Sequence, residues 1–179
     1  KVLAMVHGET STGQMQELKT IGRYCQENGV LFIVDAVATF GSTSAKVDEW
    51  GIDIAVGGTQ KGLSVPAGMS LITYNERIEK ILTSRYQKEL GLDPKVRNKQ
   101  FIKSNYLDLS QLQRYWSNEG INHHTEATSM IYALYEGLRL VKEEGLMNRY
   151  ERHALNEKAM ITGLKAMGLT IFGNPKSKL

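Results

Sequence analysis

Val30-Leu31-Phe32-Ile33-Val34-Asp35 decides the fold. It is a short, branched, apolar run without alternation, which reads as a strand buried on both faces and closed by a carboxylate at its carboxyl end. Asn28-Gly29 just before it is a good helix stop, and Met15, Leu18, Ile21 and Cys25 recur upstream at helical spacing. Val2 to Val6 supplies an earlier strand, Ile52 to Val56 a third and Met69 to Thr73 a fourth. Helical or irregular stretches between them predict α/β architecture with a mostly parallel sheet. The connection from Lys61 to Met69 is too short for a crossover helix, so the last pair is expected to be antiparallel.

From Asn75 the pattern turns helical. Helices are expected over Glu76 to Leu90, over Leu107 to Trp116 with Leu109, Leu112 and Trp116 on its apolar side, and along the stripe Met130, Leu134, Leu138 and Val141. Glu143-Glu144-Gly145 breaks that stripe before a further helix from Leu146 to about Met167, closed by Gly168. Leu169-Thr170-Ile171-Phe172 reads as the first strand of a further unit.

Composition narrows the function classes. With 41% apolar and 23% charged residues, the 179-residue chain can bury a sizeable core, and disorder, collagen and coiled coil are disfavoured. A formal charge of +3 predicts no nucleic-acid surface, and the basic run Lys95 to Lys103 reads as a solvated loop or helix edge. Cys25 rules out an internal disulfide and reads as a small core residue. The His and Cys residues lack metal-ligand spacing, and no apolar run approaches membrane-span length, so neither a metal nor a membrane is expected. The chain opens on Lys1 without an initiator methionine and is expected to be cut at both ends. Its final Ser177-Lys178-Leu179 spells a peroxisomal import tripeptide, read here as an accident of truncation, with cytoplasm as the default location.

Three polar clusters follow predicted strands: His7 to Thr12, Asp35 to Thr39, and Thr59 to Lys61. Ligands of open α/β sheets collect at such strand ends. Each cluster alone has a bland reading, as a cap, a turn or a solvated lysine. Together they place a carboxylate, hydroxyls and an amine where a cofactor could find a covalent anchor, a counter-charge and anion donors. Gly57-Gly58-Thr59-Gln60-Lys61 is no Walker A loop, and the chain has neither Gly-x-Gly-x-x-Gly nor a Gly-x-Ser-x-Gly elbow.

The blocks His7-Gly8-Glu9-Thr10-Ser11-Thr12-Gly13, Val34-Asp35-Ala36-Val37-Ala38-Thr39-Phe40-Gly41, Gly58-Thr59-Gln60-Lys61-Gly62-Leu63 with Pro66-Ala67-Gly68, and His123-His124-Thr125 resemble the class V group of fold-type I, pyridoxal-phosphate-dependent aminotransferases. The similarity is to the branch containing alanine–glyoxylate and serine–pyruvate enzymes. It implies an incomplete large domain over residues 1–144, with residues 145–179 as the linking helix and first strand of a smaller C-terminal domain.

By that resemblance Lys61 is the covalent anchor that also moves the substrate proton, and Asp35 pairs with the pyridine nitrogen to keep the ring an electron sink. Val37 packs on one ring face, Thr10 lies near the ring oxygen and the substrate, and Thr59 and Gln60 serve the phosphate side. Thr125 reaches the phosphate of a neighbouring subunit, so a homodimer with shared sites is implied. His7, His123 and Glu9 organise loops. Asn122 departs from the tyrosine common in that branch and resembles the ureidoglycine–glyoxylate aminotransferases of purine breakdown, where an amide could meet a ureido group; the other reading is that it only replaces a phosphate contact. The implied reaction moves an amino group from a small donor, with ureidoglycine favoured over alanine or serine, to glyoxylate, giving glycine. A cysteine desulfurase-like enzyme and a non-catalytic assembly fragment are the other readings. The family's phosphate loop, ring-stacking aromatic and carboxylate-binding arginine have no counterpart here, so the isolated chain is expected to be inactive.

Overall fold

The computed structural model describes residues 1–89 and 104–179. The basic run Lys95 to Lys103 lies outside them. The described residues form two compact units, one of Lys1–Thr73 with Thr128–Leu179 and one of Tyr74–Ala127.

The first unit is built on a four-stranded sheet in the order β1, β4, β5, β6: β1 (Val2–Val6), β4 (Leu31–Asp35), β5 (Ile54–Gly58) and β6 (Ser70–Tyr74, whose last residue opens the second unit). β4 runs parallel to β1 on one side and to β5 on the other, so it is the internal strand that its apolar run predicts. Phe32 and Val34 are fully buried on one face, and Leu18, Cys25 and Ile52 join them in the core. Each such side chain contributes about 1.5–3 kcal/mol through the apolar area it withdraws from water. Helix α1 (Lys19–Glu27) covers that face and ends at Asn28, with Gly29 in the left-handed region at φ 65°. Burial, followed by the Asp53 charge, pushes the Cys25 thiol above its ordinary pKa, as suits an unreactive core residue.

The structure moves several sequence-based boundaries. Met15 does not begin the helix. It pairs in a small antiparallel hairpin of β2 (Gly8–Glu9) and β3 (Gln14–Met15), because the Gly8–Met15 pairing competes locally with helix nucleation. β5 starts at Ile54 instead of Ile52: the buried Asp53 carboxylate accepts the Phe32 N–H at 2.8 Å, taking the place of a ladder carbonyl. Gly57 and Gly58 extend the strand at its other end. Leu169 to Phe172 is not a strand. The following tail returns to the hairpin instead, with Met15 N–H donating to Ser177 O at 2.8 Å and Gln14 bridged to Lys178.

Helices α4 (Thr128–Glu144) and α5 (Leu146–Ala166) complete the first unit and are separated by Gly145, as the sequence predicts. Of the expected α4 stripe, Met130, Leu134 and Val141 are half-buried and Leu138 is exposed, while Gly137 is buried against Val65. A side chain at that close approach would collide, so the smallest residue occupies the face.

The second unit contains α2 (Glu76–Glu89) and the shorter α3 (Leu109–Tyr115), which Asp108 caps through Ser110 N–H at 2.9 Å. Ile78 and Leu82 are buried, and the Arg114 guanidinium lies 4.5 Å over the Tyr86 ring. Trp116, expected on the apolar side, is 62% exposed because α3 ends before it.

Two glycine substitutions separate close packing from mere helix propensity. A Cβ at Gly22 would lie 1.7 Å from the Trp50 carbonyl oxygen. Gly22→Ala is therefore expected to cost about 1–3 kcal/mol in denaturant unfolding. Gly163 in α5 has open space around it, and Gly163→Ala is expected to gain up to about 1 kcal/mol in the same measurement.

Candidate active site

The three polar clusters come together because of strand register. Val6 of β1 pairs with Asp35 of β4, and Asp35 pairs with Val56 of β5. All three strands are parallel, so the segments that leave them emerge on one edge of the sheet, the usual ligand edge of an open α/β fold. The hairpin carrying Thr10 leaves β1, the Ala36–Thr43 turn leaves β4, and the Thr59–Val65 loop with Lys61 leaves β5.

Asp35 is exposed, and its Oδ1 accepts the Val37 N–H at 2.9 Å. That two-residue turn fixes the carboxylate and leaves its second oxygen open among the described residues. Val37 is half-buried beside Gly58, where an added Cβ would come 3.1 Å from Val37 Cγ1 and 2.8 Å from Gln60 Oε1. The missing side chain at Gly58 thus lets Val37 and Gln60 pack close over the end of the strand. Lys61 is exposed next to it, directly after Gln60. Thr59 is fully buried and donates its hydroxyl to Pro66 O at 2.7 Å, so its side chain pins the loop.

His7 ties the first cluster to the second. It is buried, and its Nδ1 lies 2.9 Å from Thr39 Oγ1. The Thr39 hydroxyl donates to Ala36 O at 3.2 Å, so His7 supplies the proton of the shared bond from Nδ1. Trp50 packs edge-on against the imidazole at 5.6 Å. Burial lowers the His7 pKa. Thr10 is exposed in the hairpin turn beyond it. Glu9 accepts from the Ser11 N–H and hydroxyl at 2.9 and 2.7 Å, which hold its carboxyl below the usual range and shape that turn.

Asn122, His123 and Thr125 belong to the second unit. His123 Nε2 lies 2.8 Å from Asn105 O, its Nδ1 lies 2.9 Å from His124 Nδ1, and its ring stacks on Tyr106. Asn122 and Thr125 are exposed on either side of this pair.

Sequence reading missed two residues that brace the lysine loop. Gly137 of α4 lets Val65 approach, and Arg149 of α5 reaches the backbone carbonyls of Gly41 and Gly62. Both sit in ordinary helical stretches without a motif, so spacing alone could not single them out.

The donor set fits a phosphorylated aromatic aldehyde. A reachable primary amine can anchor the aldehyde, a fixed carboxylate can face a ring nitrogen, and the aliphatic Val37 beside them can take a ring face. Among the described residues, no group of three His, Cys, Asp or Glu is placed to hold a metal, and no helix is long and apolar enough to cross a membrane.

Protonation of His7 has a definite sign. Its folded pKa lies below the ordinary 6.5, so the unfolded chain takes up the proton first as pH falls. Stability is expected to be full above about pH 6.5 and to decline below it. Denaturant midpoints at about pH 7.5 and about pH 5.5 check this, and His7→Gln should flatten the difference.

The class-V aminotransferase family profile matches residues 1–178. The (S)-ureidoglycine–glyoxylate transaminase of Bacillus subtilis (strain 168) is 55% identical over all of this chain and 44% of its own length. Alanine–glyoxylate aminotransferase of Rattus norvegicus is 34% identical over 96% of this chain and 39% of its own. In three dimensions, the crystal structure of ureidoglycine–glyoxylate aminotransferase from Bacillus subtilis superposes with a TM-score of 0.88 at 56% identity, covering 99% of this chain and 43% of that one. The chain therefore spans less than half the length of the relatives it matches. With its parallel sheet and with a lysine and an aspartate at neighbouring strand ends, this chain belongs to the class-V aminotransferases.

Proposed function

We propose that this chain forms the central part of a pyridoxal-phosphate-dependent aminotransferase that moves an amino group from ureidoglycine to glyoxylate, yielding glycine. One observation carries the reading: Asp35 and Lys61 leave the carboxyl ends of adjacent parallel strands in a chain 55% identical, along its whole length, to a ureidoglycine–glyoxylate transaminase. Class-V aminotransferases depend on pyridoxal phosphate. When bound, that cofactor supplies an aldehyde for the amino group and a ring that accepts the electrons released at the substrate carbon.

The chain's own residues do the rest. Lys61 Nζ would be the amine that holds the cofactor and would move the proton at the substrate carbon. It can do so only while its amine is neutral. Asp35, held by Val37 N–H at a strand end, would face the ring nitrogen and favour its protonated form. Val37 would offer an aliphatic surface to the ring. Gln60 and the turn pinned by Thr59 would serve the phosphate, and Thr10 would serve the ring oxygen and the substrate. Asn122 and Thr125 serve the site of a second copy, which makes the working protein a homodimer with shared sites. Residues 145–179 lead into a smaller C-terminal domain. The protein works in the cytoplasm, in purine catabolism.

General alanine– or serine–glyoxylate transamination is the second reading, favoured by the 34% identity to the rat enzyme. A desulfurase-like reaction would need a reachable cysteine, whereas Cys25 is 2% exposed.

Three measurements on the intact protein containing this chain test the proposal. Borohydride reduction after loading with pyridoxal phosphate is expected to fix the cofactor to the wild type and to leave Lys61→Ala unlabelled. Glycine formation from glyoxylate is expected to show a kcat/KM for ureidoglycine at least ~100-fold above alanine or serine, equivalent to about 2.7 kcal/mol. Faster turnover of alanine or serine would sink the ureidoglycine assignment. Asn122→Ala is expected to lower kcat/KM for ureidoglycine by roughly 10- to 100-fold and to leave the alanine rate nearly unchanged.

A further inference from the structure

Arg149 sits on α5, far in sequence from both active loops, yet it is 5% exposed beneath them. Its Nε donates to Gly41 O at 3.0 Å and to Gly62 O at 3.2 Å. Its Nη2 donates to Gly62 O and lies 3.4 Å from Ser64 Oγ, and its Nη1 donates to Glu144 Oε2 at 2.7 Å. Gly41 lies in the turn that follows Asp35, and Gly62 follows Lys61 directly. One planar guanidinium thus grips the backbone of both loops that carry the reactive side chains.

The two loops also lie in direct backbone contact. A Cβ at Gly62 would come 2.4 Å from Phe40 O and 2.8 Å from Ser42 N, and one at Gly41 would come 3.2 Å from the Gly62 carbonyl carbon. Such contact sets their distance. It leaves two carbonyls pointing the same way, which repel unless a donor stands between them. Arg149 is that donor. Glu144 balances its charge and also accepts from Arg152, and these two partners hold the Glu144 carboxyl down to about 2. The counter-charge therefore persists throughout the ordinary working range of pH.

We infer that Arg149 is a positioning residue, a buried fork that sets the Lys61 loop against the Asp35 loop and so fixes the amine relative to the carboxylate. The link to catalysis rests on the function proposed above, but the clamp itself is a property of the unloaded protein. Lysine is a poor substitute, because a single ammonium lacks the planar fork that reaches two carbonyls and a carboxylate together.

The test uses Arg149→Met and Arg149→Lys in the intact protein, with Leu18→Ala as a core-destabilised control outside the Lys61 loop and the Arg149 contacts. Hydrogen–deuterium exchange without cofactor is read on peptides covering residues 36–43 and 59–66. Both Arg149 variants are expected to exchange at least ~10-fold faster in the two segments together, with β1 unchanged. Leu18→Ala should show no such selective loss. With pyridoxal phosphate added, the pH midpoint of the visible absorbance of the lysine-bound cofactor is expected to shift by at least about half a unit in both variants. If Arg149→Met does not fold, Arg149→Lys, which keeps a cation beside Glu144, gives the reading. Wild-type exchange in both segments, or faster exchange in only one, would overturn the clamp. Paired loosening with an unchanged midpoint would overturn its link to the amine. Failure of the wild type to take up pyridoxal phosphate would count against the proposed function and leave the exchange result to decide the clamp.

Discussion

Everything at the candidate site depends on the parallel register of three strands. Val6, Asp35 and Val56 lie side by side because β1, β4 and β5 all run the same way around one apolar centre. A one-residue slip of β4 would turn Phe32 and Val34 out of the core and move Asp35 to the wrong face. Burial and chemistry are therefore coupled in one strand. The side chains that make β4 internal also set where its terminal carboxylate emerges.

From that edge inward, each loop is fixed by a different short-range device. The β1 hairpin is tied through His7 to Thr39, the Asp35 turn through the Val37 N–H, and the lysine loop through Thr59 to Pro66. These bonds are local to the sheet edge. The braces from α4 and α5 come from much later in the chain and act on the same loops through Gly137 and Arg149. The site is thereby rigid in its backbone while Asp35 and Lys61 stay exposed, an arrangement that suits a group held by two ends of a pocket.

Much of this was legible in advance. The apolar run into Asp35 showed an internal strand, and glycines at 29, 145 and 168 marked helix ends because the left-handed backbone there favours glycine. The clusters at strand ends pointed to the site. What escaped were features governed by partners remote in sequence. Met15 has helical spacing but pairs with Gly8, Ile52 looks like strand but yields to the Asp53 carboxylate, and Leu169 to Phe172 has strand composition without a ladder to join. Local propensity cannot reveal whether a pairing partner is within reach.

The sequence by itself determined the α/β class and the strand-end placement of Asp35 and Lys61, since these rest on residue type, period and spacing, and its motif blocks resemble those of the family. Only the tertiary structure decided which helix faces close on the site. Arg149 and Leu138 both lie on helices, one charged and one apolar, yet the charged residue is buried and the apolar one exposed. The reason is physical: two loop carbonyls brought together by the fold need a donor, and the close approach to Val65 is made by Gly137 and not by its neighbour Leu138.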